Sequence, residues 1–121
     1  MAEEKNKKKP VLVFVNPASG TKLATKMYTT ILKPALDSRG LRHDMIKTQY
    51  AGHARELIQG CADLQRYSAF IIVSGDGLVY EVTNGIYSRQ DWDDIGCKIP
   101  LGLIPGGSGN ALNCSLLRQL D

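Results

Sequence analysis

The chain has 121 residues, room for one domain with a modest core, and 43% apolar against 22% charged residues is an ordinary globular balance. The net charge of +3 sits mostly at the front, where residues 1–10 carry four lysines against two glutamates and leave the body near neutral. No basic stripe with interleaved aromatics follows, which argues against nucleic-acid binding. No apolar run approaches the roughly 18 residues that a membrane span requires.

The three cysteines, Cys61, Cys97 and Cys114, are scattered and form no C-x-x-C pair. Neither a zinc site nor a disulfide framework is expected, and free thiols suit a reducing compartment. With no apolar segment behind the first methionine, a cytoplasmic address is the default expectation. Residues 1–10 read as a solvated, disordered tail, with weak attraction to acidic lipid headgroups as the sharper alternative.

The first element is the apolar, β-branched run Val11 to Val15, which suits a strand buried on both faces of a parallel sheet. It ends in the turn cluster Asn16-Pro17-Ala18-Ser19-Gly20. Residues 21–38 carry Leu23, Met27 and Ile31, with Ala24, Tyr28 and Ala35, at helical spacing, and Pro34 strains that helix. Residues 41–48 alternate apolar and polar, the mark of a half-exposed strand.

A short helix is predicted over 51–64, with Ala54, Leu57, Ile58 and Cys61 on one face. Ala69 to Val73 reads as the third strand. The next helix, over 77–88, presents Leu78, Val79, Val82 and Ile86 together. Residues 89–98 are polar and acidic and read as a surface loop in which Trp92 is a packing anchor. Leu101 to Ile104 is the fourth strand, and a last helix is predicted over 108–117. Strand and helix thus alternate, which calls for an open α/β fold: a mostly parallel sheet, helices on both faces, right-handed crossovers. The chain stops at Asp121 just after a helix and reads as the first lobe of a longer protein.

Two glycine turns carry the chemistry. Ser74-Gly75-Asp76-Gly77 follows the third strand, and Pro105-Gly106-Gly107-Ser108-Gly109-Asn110 follows the fourth. In open α/β sheets, ligands bind beyond the carboxyl ends of the strands. Glycines there let backbone N–H groups approach phosphate oxygens with no Cβ in the way. An aspartate between two such glycines would repel a phosphate, but it is well suited to orient a substrate hydroxyl or take its proton. The pattern points to phosphoryl transfer.

Two phosphate motifs fail on these residues. Gly20-Thr21-Lys22 is a fragment of a P-loop, and both glycine pairs lack the third glycine of a dinucleotide fingerprint, meeting Tyr80 and Leu112 instead. What remains is NPASG after the first strand, SGDGLVYEVTNG after the third and PGGSGNALN after the fourth. From Val11 to the chain end this constellation resembles the catalytic domain of the diacylglycerol kinase family of lipid kinases. SGDG, GHARE at Gly52 to Glu56, Asp91-Trp92 and GSGNAL at Gly107 to Leu112 are similar to its sphingosine kinase branch.

The resemblance implies a Rossmann-like nucleotide-binding lobe of the lipid kinase and NAD kinase type, spanning residues 11–121. It implies ATP with Mg²⁺ as donor and the primary hydroxyl of sphingosine, presented at a membrane surface, as acceptor. Asp76 would be the catalytic base. Asn16, Pro17 and Ala18 would meet the nucleotide at the first loop. Thr48, Gln49, Tyr50, Ala51 and Gly52 would line its cleft after the second strand. Ser74, Gly75, Gly77 and Glu81 would face the same cleft, and Gly107, Ser108 and Gly109 would offer N–H groups to phosphate at a helix N-terminus. The metal ligands are not identified.

The chain departs from the family in its first loop, where Ala18-Ser19-Gly20-Thr21 replaces a glycine- and lysine-rich stretch and lowers the expected nucleotide affinity. The family's second, β-rich, lipid-binding lobe is not in these residues, so the lobe alone is expected to bind lipid poorly. Simpler readings stand beside these: Asp76 as a helix N-cap, Glu81 as an exposed helix carboxyl, His53 as a solvated surface histidine, the cysteines as core residues. Two rival functions remain, a diacylglycerol kinase-like enzyme on the same scaffold and a truncated, non-catalytic nucleotide-binding module.

Overall fold

A computed structural model of the chain describes residues 9–17, 23–73 and 76–104, with residue 76 described through its backbone. The elements in chain order are β1 (Val11–Val15), α1 (Leu23–Met27), a π-helical turn (Tyr28–Leu32), α2 (Lys33–Ser38), β2 (His43–Lys47) and α3 (His53–Gly60). A 3₁₀ turn (Leu64–Arg66) leads into β3 (Ala69–Val73), α4 (Asp76–Tyr87), α5 (Trp92–Lys98) and β4 (Leu101–Ile104). The strands form one parallel sheet in the order β2-β1-β3-β4.

The two central strands are the two unbroken apolar runs, and every residue of β1 and β3 is buried. Alternation divides them between two cores. Val11, Val13, Val15, Ala69, Ile71, Val73 and Ile104 pack under Ala24, Tyr28, Leu32 and Leu36 of the first helical segment. Leu12, Phe14, Phe70 and Ile72 pack on the opposite face under Ala54 and Ile58 of α3, Leu78 and Val82 of α4, and Ile95 of α5. The edge strand β2 is only partly buried, as its alternation predicts. The open α/β sheet with helices on both faces is therefore the observed architecture.

The first helical segment differs from expectation in one physical detail. Leu23 and Ile31 are exposed, and the buried row is Ala24, Tyr28, Leu32, Leu36, four residues apart at each step. An α-helix would rotate such a row steadily off the sheet, because its turn is 3.6 residues. The π-helical turn widens one turn, with the Lys33 N–H bonding to the Tyr28 carbonyl, and brings Leu32 and Leu36 back over β1. That turn lies just before Pro34, whose ring and missing N–H disturb the preceding turn of a regular helix.

Three more boundaries move. The helix predicted over 51–64 is shorter, since Cys61 adopts extended geometry after Gly60, and Leu57 is exposed while Ala54 and Ile58 are buried. The helix predicted from 77 begins at Asp76. Residues 89–98, read as a loop, contain α5. It is held by Ile95 beneath it, by Asp93 and Asp94 in its first turn, and by a 3.0 Å Lys98–Asp94 ion pair. Trp92, on α5, is about half exposed and packs at 5.5 Å against Tyr87. Of the cysteines, Cys61 is partly buried but Cys97 is exposed, which corrects the core reading for Cys97. The helix predicted over 108–117, the tail over 1–8, and Cys114 lie outside the described residues.

One polar contact fastens β2 to the first helical segment. The Tyr28 hydroxyl lies 2.7 Å from His43 Nε2, with the rings edge to face. Burial holds the His43 imidazole below the usual histidine range, against a weaker upward pull from the Asp37 carboxylate. The folded state thus favours the neutral ring, and the unfolded chain binds the proton more tightly. This contribution to stability is complete above about pH 6.5 and is lost as pH falls below it. Urea unfolding at about pH 7.5 and about pH 5.5 should show the wild type losing more stability than His43→Phe, whose site cannot titrate. Equal losses would remove His43 as the cause.

Candidate functional site

In register, Lys47, Val15, Val73 and Ile104 form a level row along the carboxyl edge of the sheet. From β1 the chain leaves to one face, toward α1; from β3 it leaves to the other, toward α4. Neighbouring strands whose connections diverge in this way open a crevice between their ends. Asn16 follows β1 there, and the backbone of Asp76 opens α4 there.

Thr48 closes the neighbouring corner. Its N–H donates to the Val15 carbonyl at 2.9 Å, and its hydroxyl reaches the same oxygen at 3.4 Å. Asn16, Thr48, Gln49, Tyr50, Ala51 and Glu81 line a cavity of about 210 Å³ at this edge. Glu81 reaches it from α4, four residues after Gly77 and hence on the same helical face. Its Oε1 is shut away from solvent and has no hydrogen-bond partner among the described residues. A buried polar atom without a partner costs roughly 1–3 kcal/mol, so an acceptor left in this state fits a donor or cation brought by a ligand.

The segment after β2 is held in a defined shape. Gly52 caps α3 with φ +90°, a left-handed conformation that a side chain would strain, although the space beside it is open. The Gln49 N–H donates to His53 Nδ1 at 3.0 Å. The Tyr50 ring stacks on His53 with centroids 4.6 Å apart and planes 18° from parallel. Its hydroxyl donates to Glu56 Oε1 at 2.8 Å, which pushes the phenol pKa up.

Six residues expected at the site therefore share one cavity. Pro17 is half-buried at the adjoining turn, and Gly52 and Gly77 shape the backbone nearby without lining that space. Ala18, Ser74, Gly75, Gly107, Ser108 and Gly109 lie outside the described residues. Glu81 is not an exposed helix carboxyl, and His53 is not simply solvated. Reading the sequence missed His53 and Glu56 as supports of Tyr50. The available signal was their position in the first turn of a helix behind a capping glycine. Among the described residues no group of three or more His, Cys, Asp or Glu side chains is arranged to hold a metal ion.

Larger hollows lie away from this edge, one of about 430 Å³ at the turn before β2 and two at the other end of the helices. One of these two, of about 560 Å³, surrounds Arg89, Asp91 and Cys61. Arg89 is fully engaged there, paired with Asp91 at 2.7 Å and donating to the Ile58 and Cys61 carbonyls at 2.6 and 2.5 Å. The other, about 360 Å³, lies between α4, α5 and the start of β4. None of the three touches the crevice.

Comparison with known proteins agrees with this fold. Residues 10–121 match the family described as the diacylglycerol kinase catalytic domain. Sphingosine kinase 1 of Caenorhabditis elegans is 41% identical over 109 residues, covering 90% of this chain and 23% of that protein. Sphingosine kinase 1 of Arabidopsis thaliana is 39% identical, covering 93% and 23%. A crystal structure of a diacylglycerol kinase from Bacillus anthracis superposes with a TM-score of 0.60 at 28% identity, over 84% of this chain and 32% of that one. The chain thus spans about a quarter to a third of the length of these relatives. No helix among the described residues is long and apolar enough to cross a membrane. On its sequence match and its fold, the chain belongs to the diacylglycerol kinase catalytic-domain family of lipid kinases, with sphingosine kinases among its relatives.

Proposed function

We propose that residues 11–121 form the nucleotide-binding lobe of a two-lobed enzyme that transfers the γ-phosphoryl group of ATP to the primary hydroxyl of sphingosine. The observation that carries this reading is the Oε1 of Glu81, buried and without a hydrogen-bond partner among the described residues, in a cavity beside Asn16 and Thr48. It lies at the sheet edge where α4 opens at Asp76. The choice of sphingosine rests on the relatives named above, which are sphingosine kinases.

In this reading Asp76 accepts the hydroxyl proton as the oxygen attacks the γ-phosphorus and ADP leaves. Gly75, Gly77, Gly107, Ser108 and Gly109 bring backbone N–H groups to the phosphates. Asn16, Thr48 and Glu81 hold the ribose end, Glu81 accepting a hydrogen bond from a nucleotide hydroxyl. Mg²⁺, bound with the nucleotide, would neutralise the phosphate charge. A single carboxyl group suits it, since Mg²⁺ retains most of its ligands as water and phosphate oxygen. The membrane presents the lipid, and the second lobe would supply the lipid pocket.

Two measurements test the reading. The intact enzyme should phosphorylate sphingosine with Mg²⁺-ATP and leave diacylglycerol largely untouched; the reverse preference would reassign the substrate. Glu81→Met should weaken Mg²⁺-ADP binding about ten-fold or more, because hydrogen bonds to charged or buried acceptors are worth roughly 1.5–3 kcal/mol. The same variant should keep or raise the melting temperature, since it removes an orphaned polar atom. A lower melting temperature with unchanged affinity would make Glu81 structural.

A further inference from the structure

We infer that Tyr50 is the platform on which the nucleobase stacks, and that His53 and Glu56 are the positioning residues that hold its ring ready. This rests on the nucleotide reading of the crevice. Tyr50 is 53% exposed, an unusual place for a side chain fixed by so many contacts. One ring face is covered by His53, and the hydroxyl is tied to Glu56. His53 is itself fixed by the Gln49 N–H, and the whole turn is set by the left-handed Gly52.

Holding an exposed ring in one orientation contributes little to a fold, because exposed hydrogen bonds exchange readily with water and the ordering costs entropy. It does favour a planar ligand, which then meets a ring already in place. Since one face is occupied by His53, the exposed area includes the other, and Tyr50 lines the same cavity as Asn16, Thr48 and Glu81.

Distances along the sheet agree. If phosphates sit at the glycine turns after β3 and β4, β2 lies two to three strand spacings away, about 10–15 Å. That is the direction in which a nucleoside diphosphate must extend, with its ribose passing Asn16 and Glu81 and its base arriving at Tyr50. The cavity of about 210 Å³ is smaller than a typical whole-ligand pocket and suits one part of the nucleotide. Stacking recognises a planar π-face and not a hydrogen-bond pattern, so it gives affinity with little discrimination among purines.

The test compares ligands with and without a base. Binding of Mg²⁺-ADP and of Mg²⁺-pyrophosphate is measured by calorimetry on the wild type, Tyr50→Ala, Tyr50→Phe, His53→Ala and Glu56→Gln. Tyr50→Ala should weaken ADP by about five- to hundred-fold and leave pyrophosphate unchanged. Tyr50→Phe should recover most of the loss. His53→Ala and Glu56→Gln should weaken ADP by smaller factors, again sparing pyrophosphate, which a general loosening of the lobe would not do. Equal effects on both ligands, or none on ADP, would overturn the platform while leaving the nucleotide site standing. Failure of the wild type to bind either ligand would overturn both.

Discussion

Replacing Asp76 by Asn is expected to lower turnover of the intact enzyme by about 10²–10⁴-fold while nucleotide affinity and stability change little. The substitution separates two roles that the sequence leaves entangled. Asp76 stands at the first position of α4, beyond the carboxyl end of β3 and beside the end of β1. A carboxylate there interacts favourably with the helix dipole, worth about 0.3–1 kcal/mol, and Asn serves nearly as well wherever the residue caps a helix. The amide of Asn has no useful basicity. If Asp76 removes the hydroxyl proton, Asn abolishes that step and keeps the size and hydrogen-bonding reach of the side chain. If Asp76 is only a helix-terminal residue, Asn should leave activity within a few-fold of wild type. The kcat on sphingosine and the Kd for Mg²⁺-ADP, measured beside a melting curve, distinguish the cases. Turnover within three-fold would sink the base assignment.

The parts of the fold that could be read from sequence are those in which one signal dominates. β1 and β3 are continuous apolar runs because they are buried on both faces, and β2 alternates because it lies at an edge. Helix α5 was hidden because it needs only one deep anchor, Ile95, and is otherwise a charged surface turn containing Gly96. No periodic stripe marks such a helix; acidic residues in its first turn and a lysine in its last were the only traces. The buried face of the first helical segment is legible only in part: Ala24, Tyr28, Met27 and Ala35 pack at the core as expected, while Leu23 and Ile31 are exposed. A 3.6-residue period does not describe a row whose spacing is set by a π-helical turn, which depends on the Lys33 N–H to Tyr28 bond. Pro34 warned of a disturbance without saying how the chain would absorb it. At the crevice, the resemblance led to Thr48, Gln49, Tyr50 and Ala51, and nothing in their periodicity would have. The fixing of Tyr50 by His53 and Glu56 is a contact pattern within one turn, which spacing alone does not reveal.

Gly85→Val is expected to destabilise the chain by about 3 kcal/mol and to disturb the crevice at the same time. Gly85 lies inside α4 where that helix crosses α3. A Cβ at this position would stand 3.1 Å from Ile58 Cβ and 3.2 Å from the Arg55 carbonyl oxygen, both closer than ordinary contact. Helix propensity alone would favour Ala over Gly by about 0.8–1 kcal/mol, so the sign depends on whether α3 can yield. It is poorly placed to do so. Arg89, just beyond α4, donates to the Ile58 and Cys61 carbonyls and thereby ties the end of α3 to the end of α4. Overpacking typically costs 1–3 kcal/mol, which makes Gly85→Ala slightly destabilising and Gly85→Val severe against a total stability of about 5–15 kcal/mol. The two helices also carry the two sides of the crevice: α3 begins with His53 and holds Glu56, while α4 carries Glu81 one turn before Gly85. Forcing them apart should widen the gap between Tyr50 and Glu81. Urea midpoints and Mg²⁺-ADP affinities should therefore fall together in the order Gly, Ala, Val. A Gly85→Ala protein that is more stable and binds ADP as before would show that α3 yields freely, and that the close crossing of α3 and α4 has no part in shaping the site.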